Sequence, residues 1–226
     1  MRYKDNPRVI GMDLRNELRK AHGVLPTWGD ENPVTDWRRA AYICGEKVLK
    51  VAPHWLILVG GLNYQLDLTS IIKYPLEYSV KNKLVYTGHF YGFSWPVPAW
   101  SLISYDSFQQ KMFNTQTHVR GLGHPFFLGE FGNDKQDIPW KHLIRFLKET
   151  DIDWTYWALD GFKCDPDKDE TYGMFTNDFK DPRHPEMLAD LISVGPPPRT
   201  VINYPKKESG AVKWETKEAT KVEKHT

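Results

Sequence analysis

Two glutamates stand where chemistry is possible. Glu17 follows Arg15-Asn16 at the end of one apolar run, and Glu130 follows Gly129 at the end of another. Two carboxyls on one rim suit cleavage of a glycosidic bond, which needs one protonated and one ionised group. At a separation of about 5–5.5 Å, one attacks the anomeric carbon and the other serves as acid, then base. Glu130, flanked by Gly129 and Gly132, is the group rigidly placed for attack, its glycines letting backbone and substrate approach closely. Glu17 is then the acid/base, with Asn16 beside it to hydrogen-bond a sugar hydroxyl near the scissile bond. Taken singly, each residue has a plainer explanation. A lone Glu after a strand is commonly a loop residue or cap, His89 a core histidine, and Tyr91 and Trp157 core aromatics. Asp13 is a candidate ion-pair partner on the strand face.

The elements that must carry these groups are legible as alternating strands and helices. Apolar runs near residues 8–14, 55–60, 83–88, 125–129 and 153–158 read as five buried strands. Asn32 reads as an N-cap with Pro33 at the first helical position. The helix that follows carries Trp37, Ala40, Ala41, Cys44 and Val48 on one stripe. Phe108, Met112 and Val119 mark a second helix, and Asp137 and Pro139 open a third with Trp140, Leu143, Ile144 and Leu147. Met187, Leu188, Leu191 and Ile192 lie on the last. Strands alternating with amphipathic helices predict an α/β fold with a parallel sheet.

Each strand runs into a polar or glycine-rich cluster. These are Arg15-Asn16-Glu17, Gly60-Gly61-Leu62-Asn63-Tyr64, Gly88-His89-Phe90-Tyr91, Gly129-Glu130-Phe131-Gly132 and Trp157-Ala158-Leu159-Asp160-Gly161. Parallel α/β folds bind ligands at the C-terminal ends of their strands, so these clusters are expected on one rim. Five strands fit either an open sheet or a (β/α) barrel without its front, since closure takes eight. Beyond Val194, Pro196-Pro197-Pro198 leads into a Lys/Glu-rich stretch to Thr226 that is too poor in apolar residues to fold, so residues 195–226 are expected to be a disordered tail.

Composition narrows the remaining classes. A net charge of +1 argues against electrostatic binding of nucleic acid or an anionic membrane. No apolar run reaches transmembrane length, and the opening residues carry no hydrophobic segment of a secretion signal. Two cysteines give no disulfide framework, and Cys44 reads as a buried helix thiol with Cys164 in a loop. The eight histidines are scattered without His-Glu-x-x-His spacing, and neither a phosphate-cradling loop nor a Gly-x-Ser-x-Gly turn occurs. Nine Trp, eleven Tyr and eleven Phe suit sugar faces as well as cores. Trp28, Trp95 and Trp100 are candidates for lining sugar subsites, and the 162–178 segment for bordering the cleft.

Four motifs in order, Gly11-Met12-Asp13-Leu14-Arg15-Asn16-Glu17, Tyr86-Thr87-Gly88-His89-Phe90-Tyr91, Leu128-Gly129-Glu130-Phe131-Gly132 and Trp154-Thr155-Tyr156-Trp157, resemble those of family 5 glycoside hydrolases. These are the cellulase-like members of a retaining (β/α)8 clan. The resemblance spans roughly residues 8–193 and implies a partial (β/α)8 TIM barrel of about five C-terminal βα units, residues 1–194. It implies Glu17 as acid/base at the fourth barrel strand and Asn16 on the sugar 2-hydroxyl. His89 and Tyr91 would follow the sixth strand, Glu130 would be the nucleophile on the seventh, and Trp157 a sugar platform on the eighth. No obligatory metal or organic cofactor is implied. The expected partner is a β-linked polysaccharide or oligosaccharide, cleaved as in an endo-β-1,4-glucanase, in an extracellular setting. Leu18 stands where the family usually has Pro, and the Arg and His that the family's first three strands supply have no counterpart. That departure predicts a truncated chain, or one completed by a missing N-terminal barrel half, poorly soluble on its own. The alternative is an inactive carbohydrate-binding relic that keeps Trp157, Trp95, Trp100 and Tyr64 as a stacking surface.

Overall fold

The computed structural model describes residues 2–92, 102–114, 118–150, 152–162 and 170–195. Five strands form one parallel sheet: β1 (Gly11–Asp13), β2 (Leu56–Gly60), β3 (Leu84–Phe90), β4 (Phe126–Phe131) and β5 (Asp153–Trp154). Helices α1 (Trp37–Val51), α2 (Leu62–Gln65), α3 (Thr69–Lys73), α4 (Tyr105–Met112), α5 (Ile138–Thr150) and α6 (Pro185–Val194) lie between and after them. The strands follow each other in chain order across the sheet, and every neighbouring pair is parallel. A doubly wound sheet would reverse its order at a switch point. Sequential order with helical crossovers is the winding of a (β/α)8 barrel, and five of its eight units are present among the described residues.

The period-two alternation of β2 explains how the sheet is covered. Ile57 and Val59 are buried in the main core with Ala41, Val48 and Leu49 of α1. Leu56 and Leu58, pointing the other way, line a concave cavity of about 1430 Å³ together with Ile10, Met12, Val85 and Phe127. One face of the sheet is therefore packed against helices, and the other is open. β3, buried along all seven residues, is the sheet's most protected strand.

The structure corrects several expected boundaries. Helix α1 starts at Trp37, capped by Asp36, not at Pro33. Asn32 instead closes a turn, its Oδ1 accepting from Val34 N at 2.9 Å. Asp36 is the stronger cap because its carboxylate accepts from the backbone N–H groups of Gly29, Glu31 and Arg39 at once. Cys44 is exposed, not buried. The inward place on that turn belongs to Gly45, where any side chain would collide with the Tyr78 ring. Val119 is buried but lies in a separate 3-10 turn (His118–Leu122), outside α4. The first and last strands are shorter than their apolar runs, although hydrogen bonds from Leu14 N to Leu58 O and from Trp157 N to Phe131 O carry the chain further along its neighbours. Cys164 and residues 196–226, where a disordered tail is expected, lie outside the described residues. No described helix is long and apolar enough to cross a membrane.

Candidate active site

The site forms where strands β3 and β4 end. Their pairing is regular until a register irregularity between Gly88 and His89, after which His89 faces Glu130. Such irregularities re-aim side chains at the rim of a sheet. His89, with its side chain only 3% exposed, places Nδ1 3.0 Å from Glu17 Oε1 and 3.8 Å from Glu130 Oε1. Because a carboxylate oxygen only accepts, the tautomer that suits this contact carries its proton on Nδ1. Tyr91, one residue past β3, donates its hydroxyl to Glu130 Oε1 at 2.5 Å. Burial, reinforced by that hydrogen bond to Glu130, pushes the Tyr91 phenol well above its usual value, so it stays a donor.

Glu17 arrives by a different route. It stands in the loop after β1 with φ of +43°, in the left-handed region. Its backbone N–H donates to Gln65 Oε1 at 2.7 Å, and its carboxylate also lies 3.7 Å from Arg19 Nη1. The Glu17 and Glu130 side chains are 21% and 19% exposed, enough for a ligand to reach them from the open rim.

One oxygen of each carboxyl and a ring nitrogen of His89 all lie within 4.8 Å of one another. Three such donors have the makings of a cation site. In this structure His89 Nδ1 is bonded to Glu17 and Glu130 Oε1 to Tyr91.

Of the expected site residues, the fold brings Glu17, His89, Tyr91 and Glu130 together. Asn16 is exposed beside Glu17. Trp157 is 49% exposed on the same rim, its N–H bonded to Phe131 O, and its peptide bond to Ala158 is cis. Tyr64 is exposed near Arg19, whose guanidinium lies 5.5 Å from its ring centre. Trp28 does not line the rim: it is buried, with its indole N–H on Tyr74 O at 2.8 Å. Trp95 and Trp100 lie outside the described residues. The glycines around Glu130 serve close packing of the protein on itself. A side chain at Gly129 would strike Thr87 Oγ1, and one at Gly132 would strike the Trp157 carbonyl. From the 162–178 segment, Tyr172 packs against Tyr91 with ring centres 6.0 Å apart.

Sequence reasoning passed over Gln65. It stands in a mixed polar and apolar stretch after Gly60-Gly61, so nothing local set it apart from Asn63 or Asp67, and only the fold shows it fully buried. Asp13 forms no ion pair with a described residue, and its Oδ1 accepts from Arg15 N at 3.2 Å. Loss of hydration among the surrounding strands raises its pKa above 3.8, against the lowering effects of the Arg15 N–H, His89 and Gln65. The side chain still meets solvent in the open concave face, which limits that rise.

The architecture is a partial (β/α)8 barrel with two carboxyls converging at the C-terminal ends of its strands. Residues 1–163 match the cellulase family, glycosyl hydrolase family 5, and the chain belongs to that family. It is similar to an endoglucanase of Paenibacillus polymyxa, 32% identical over 200 residues that cover 79% of this chain and 48% of that protein. It is also similar to the major extracellular endoglucanase of Xanthomonas campestris pv. campestris, 30% identical over 82% of this chain and 40% of that protein. The solved catalytic domain of the latter superposes with a TM-score of 0.70, over 85% of this chain and 58% of the domain at 28% identity. An endocellulase of Pyrococcus horikoshii solved with cellotetraose matches over 75% of this chain and 51% of that one, at 27% identity and a TM-score of 0.62. The chain thus spans about half the length, or less, of the curated relatives it matches.

Proposed function

We propose that this chain carries the reacting groups of a retaining glycoside hydrolase that cleaves β-linked glucans in the manner of an endoglucanase. The observation that carries the reading is the approach of Glu17 and Glu130 oxygens to within 4.8 Å, with His89 between them. Retaining enzymes hold their carboxyls about 5–5.5 Å apart, whereas inverting ones leave about 6.5–9.5 Å for a water. Family membership and similarity to endoglucanases support the substrate class.

In this reading Tyr91 occupies Glu130 Oε1 and leaves Oε2 to attack the anomeric carbon. As that bond forms, the bond to the leaving oxygen breaks, and Glu17 gives that oxygen its proton. Glu17, now ionised, then takes a proton from water, whose oxygen displaces Glu130 and restores both carboxyls. His89, bonded to Glu17 Oε1, steadies the acid/base through both steps. Asn16 holds the sugar 2-hydroxyl and Trp157 stacks on a ring face, an arrangement suited to an indole half-exposed at a rim. Residues 1–194 make up the barrel unit, and its uncovered concave face is where further βα units of an eightfold barrel would pack. An extracellular setting follows by analogy with the Xanthomonas relative.

The test is release of reducing ends from carboxymethyl-cellulose and glucomannan, with mass spectrometry of the protein after a 2-deoxy-2-fluoro-cellobioside. A sugar adduct on Glu130, lost in Glu130→Gln, is expected. Turnover that survives Glu130→Gln overturns the assignment.

A further inference from the structure

We infer that Gln65 is the positioning residue that holds Glu17 for the role given to it above, an inference that rests on that reading. Glu17 lies in a loop, where no strand register fixes it. Two contacts from a single turn grip the backbone on either side of its carbonyl carbon: Gln65 Oε1 accepts from Glu17 N at 2.7 Å, and Tyr64 N donates to Leu18 O at 2.8 Å. An amide N–H can only donate, so the Gln65 side chain must present its oxygen to Glu17. Its Nε2 is thereby turned toward Asp13, whose ionised carboxyl it favours.

An apolar side chain in place of Gln65 would leave the Glu17 N–H without its acceptor, at a cost of about 1–3 kcal/mol. The backbone around Gln65 carries a cost of its own. Asn63, Tyr64 and Gln65 all have positive φ, at 49°, 60° and 60°, and each non-glycine residue so placed costs about 1–2 kcal/mol. Gly60 accommodates the result, because a methyl there would occupy the space of the Gln65 side chain. A strained turn and a glycine that makes room for the buried amide together place an acceptor at the Glu17 N–H.

The experiment compares the parent chain with Gln65→Met, which keeps length and removes the acceptor, and with Gln65→Glu, which restores an acceptor oxygen. Two substrates are used, 2,4-dinitrophenyl β-cellobioside, whose leaving group needs no acid, and phenyl β-cellobioside, whose leaving group does. Gln65→Met should lower kcat/KM on the phenyl glycoside by about tenfold or more, within the range that general acid catalysis contributes, and on the dinitrophenyl glycoside by less than about twofold. Gln65→Glu should recover most of the loss. Equal losses on both substrates, or none on either, overturn the inference. Amide hydrogen exchange supplies a readout independent of turnover. Exchange at Glu17 should accelerate about tenfold or more in Gln65→Met while Ile57 and Val85 keep their protection, as expected for local opening without global unfolding. Unchanged exchange at Glu17 overturns the inference. A parent chain inactive on both glycosides counts against the glycosidase reading, and Glu17 exchange still decides whether Gln65 holds that residue. If Gln65→Met does not fold, Gly60→Ala, whose methyl displaces the same side chain, carries the same expectations.

Discussion

Glu130 and Glu17 approach within 4.8 Å, yet the chain delivers them by opposite means. Glu130 belongs to β4, and its place follows from the ladder with β3 and from the packing beneath it, where Leu128, Phe126 and Phe131 are buried. Glu17 belongs to a loop, and its place follows from one buried amide, a turn at positive φ and a histidine from another strand. In the roles proposed above, a nucleophile must meet carbon along a fixed line, and a strand supplies that rigidity. An acid/base must reach first a leaving oxygen and then a water, and a loop tied at a few points leaves it that latitude.

The comparison can be broken most severely at the carboxyls. Glu130→Gln should lower turnover of every substrate by about a thousandfold or more, whereas Glu17→Gln should spare substrates with good leaving groups in their first step, since acid catalysis there contributes about 10²–10⁴-fold only where it is needed. Parallel losses across leaving groups in both variants would remove the distinction. Next in size is the support beneath β4. Leu128→Ala should cost about 2–5 kcal/mol of stability, read from the urea midpoint, because the cavity forms in the core. Tyr64→Ala, on the exposed turn beside Glu17, should cost less than about 1 kcal/mol by the same measure. Comparable costs would mean that the two supports do not differ in kind.

Tyr91→Phe removes the hydrogen bond to Glu130 Oε1. A bond to a charged group contributes about 1.5–3 kcal/mol, so kcat should fall by about ten- to a hundredfold with little change in KM. A rise in KM alone would place Tyr91 in substrate binding instead. The smallest effect belongs to Asp13, whose folded pKa lies above 3.8 because of lost hydration. The folded state then keeps its proton to higher pH than the unfolded chain does, so stability declines as pH rises through that window. Asp13→Asn should therefore raise Tm more at pH 7 than at pH 3, and an equal change at both would exclude the effect.

Much of the fold was legible because buried strands leave continuous apolar runs and each ends in punctuation. All five strands lie where those runs lie, and of the residues that close them Glu17, His89, Tyr91 and Glu130 come together in space. Boundaries were less legible where two signals competed. Asn32-Pro33 has the form of a helix start, but Asp36 satisfies three backbone donors and takes the cap. The stripe that placed Cys44 inside was off by one residue, because Gly45 alone admits the Tyr78 ring. Trp28 illustrates a wider ambiguity, since an aromatic in a loop reads alike whether it faces a sugar or, as here, the core. The place of Glu130 near the end of its strand was readable from local pattern. Gln65, which acts on Glu17 from 48 positions away, was not, because no local periodicity records a tie across that distance.

The sequential order of the sheet also bears on how the site comes to exist. Among the described residues, each strand pairs with the one before it and the one after it. Assembly can then advance by closures between strands that follow one another in the chain, in the way that favours fast folding. Glu17 and Glu130 meet only when β2 and β3 have both joined the growing sheet. A lesion in β2, or at the start of β3 well before His89, would act on the two carboxyls from a distance.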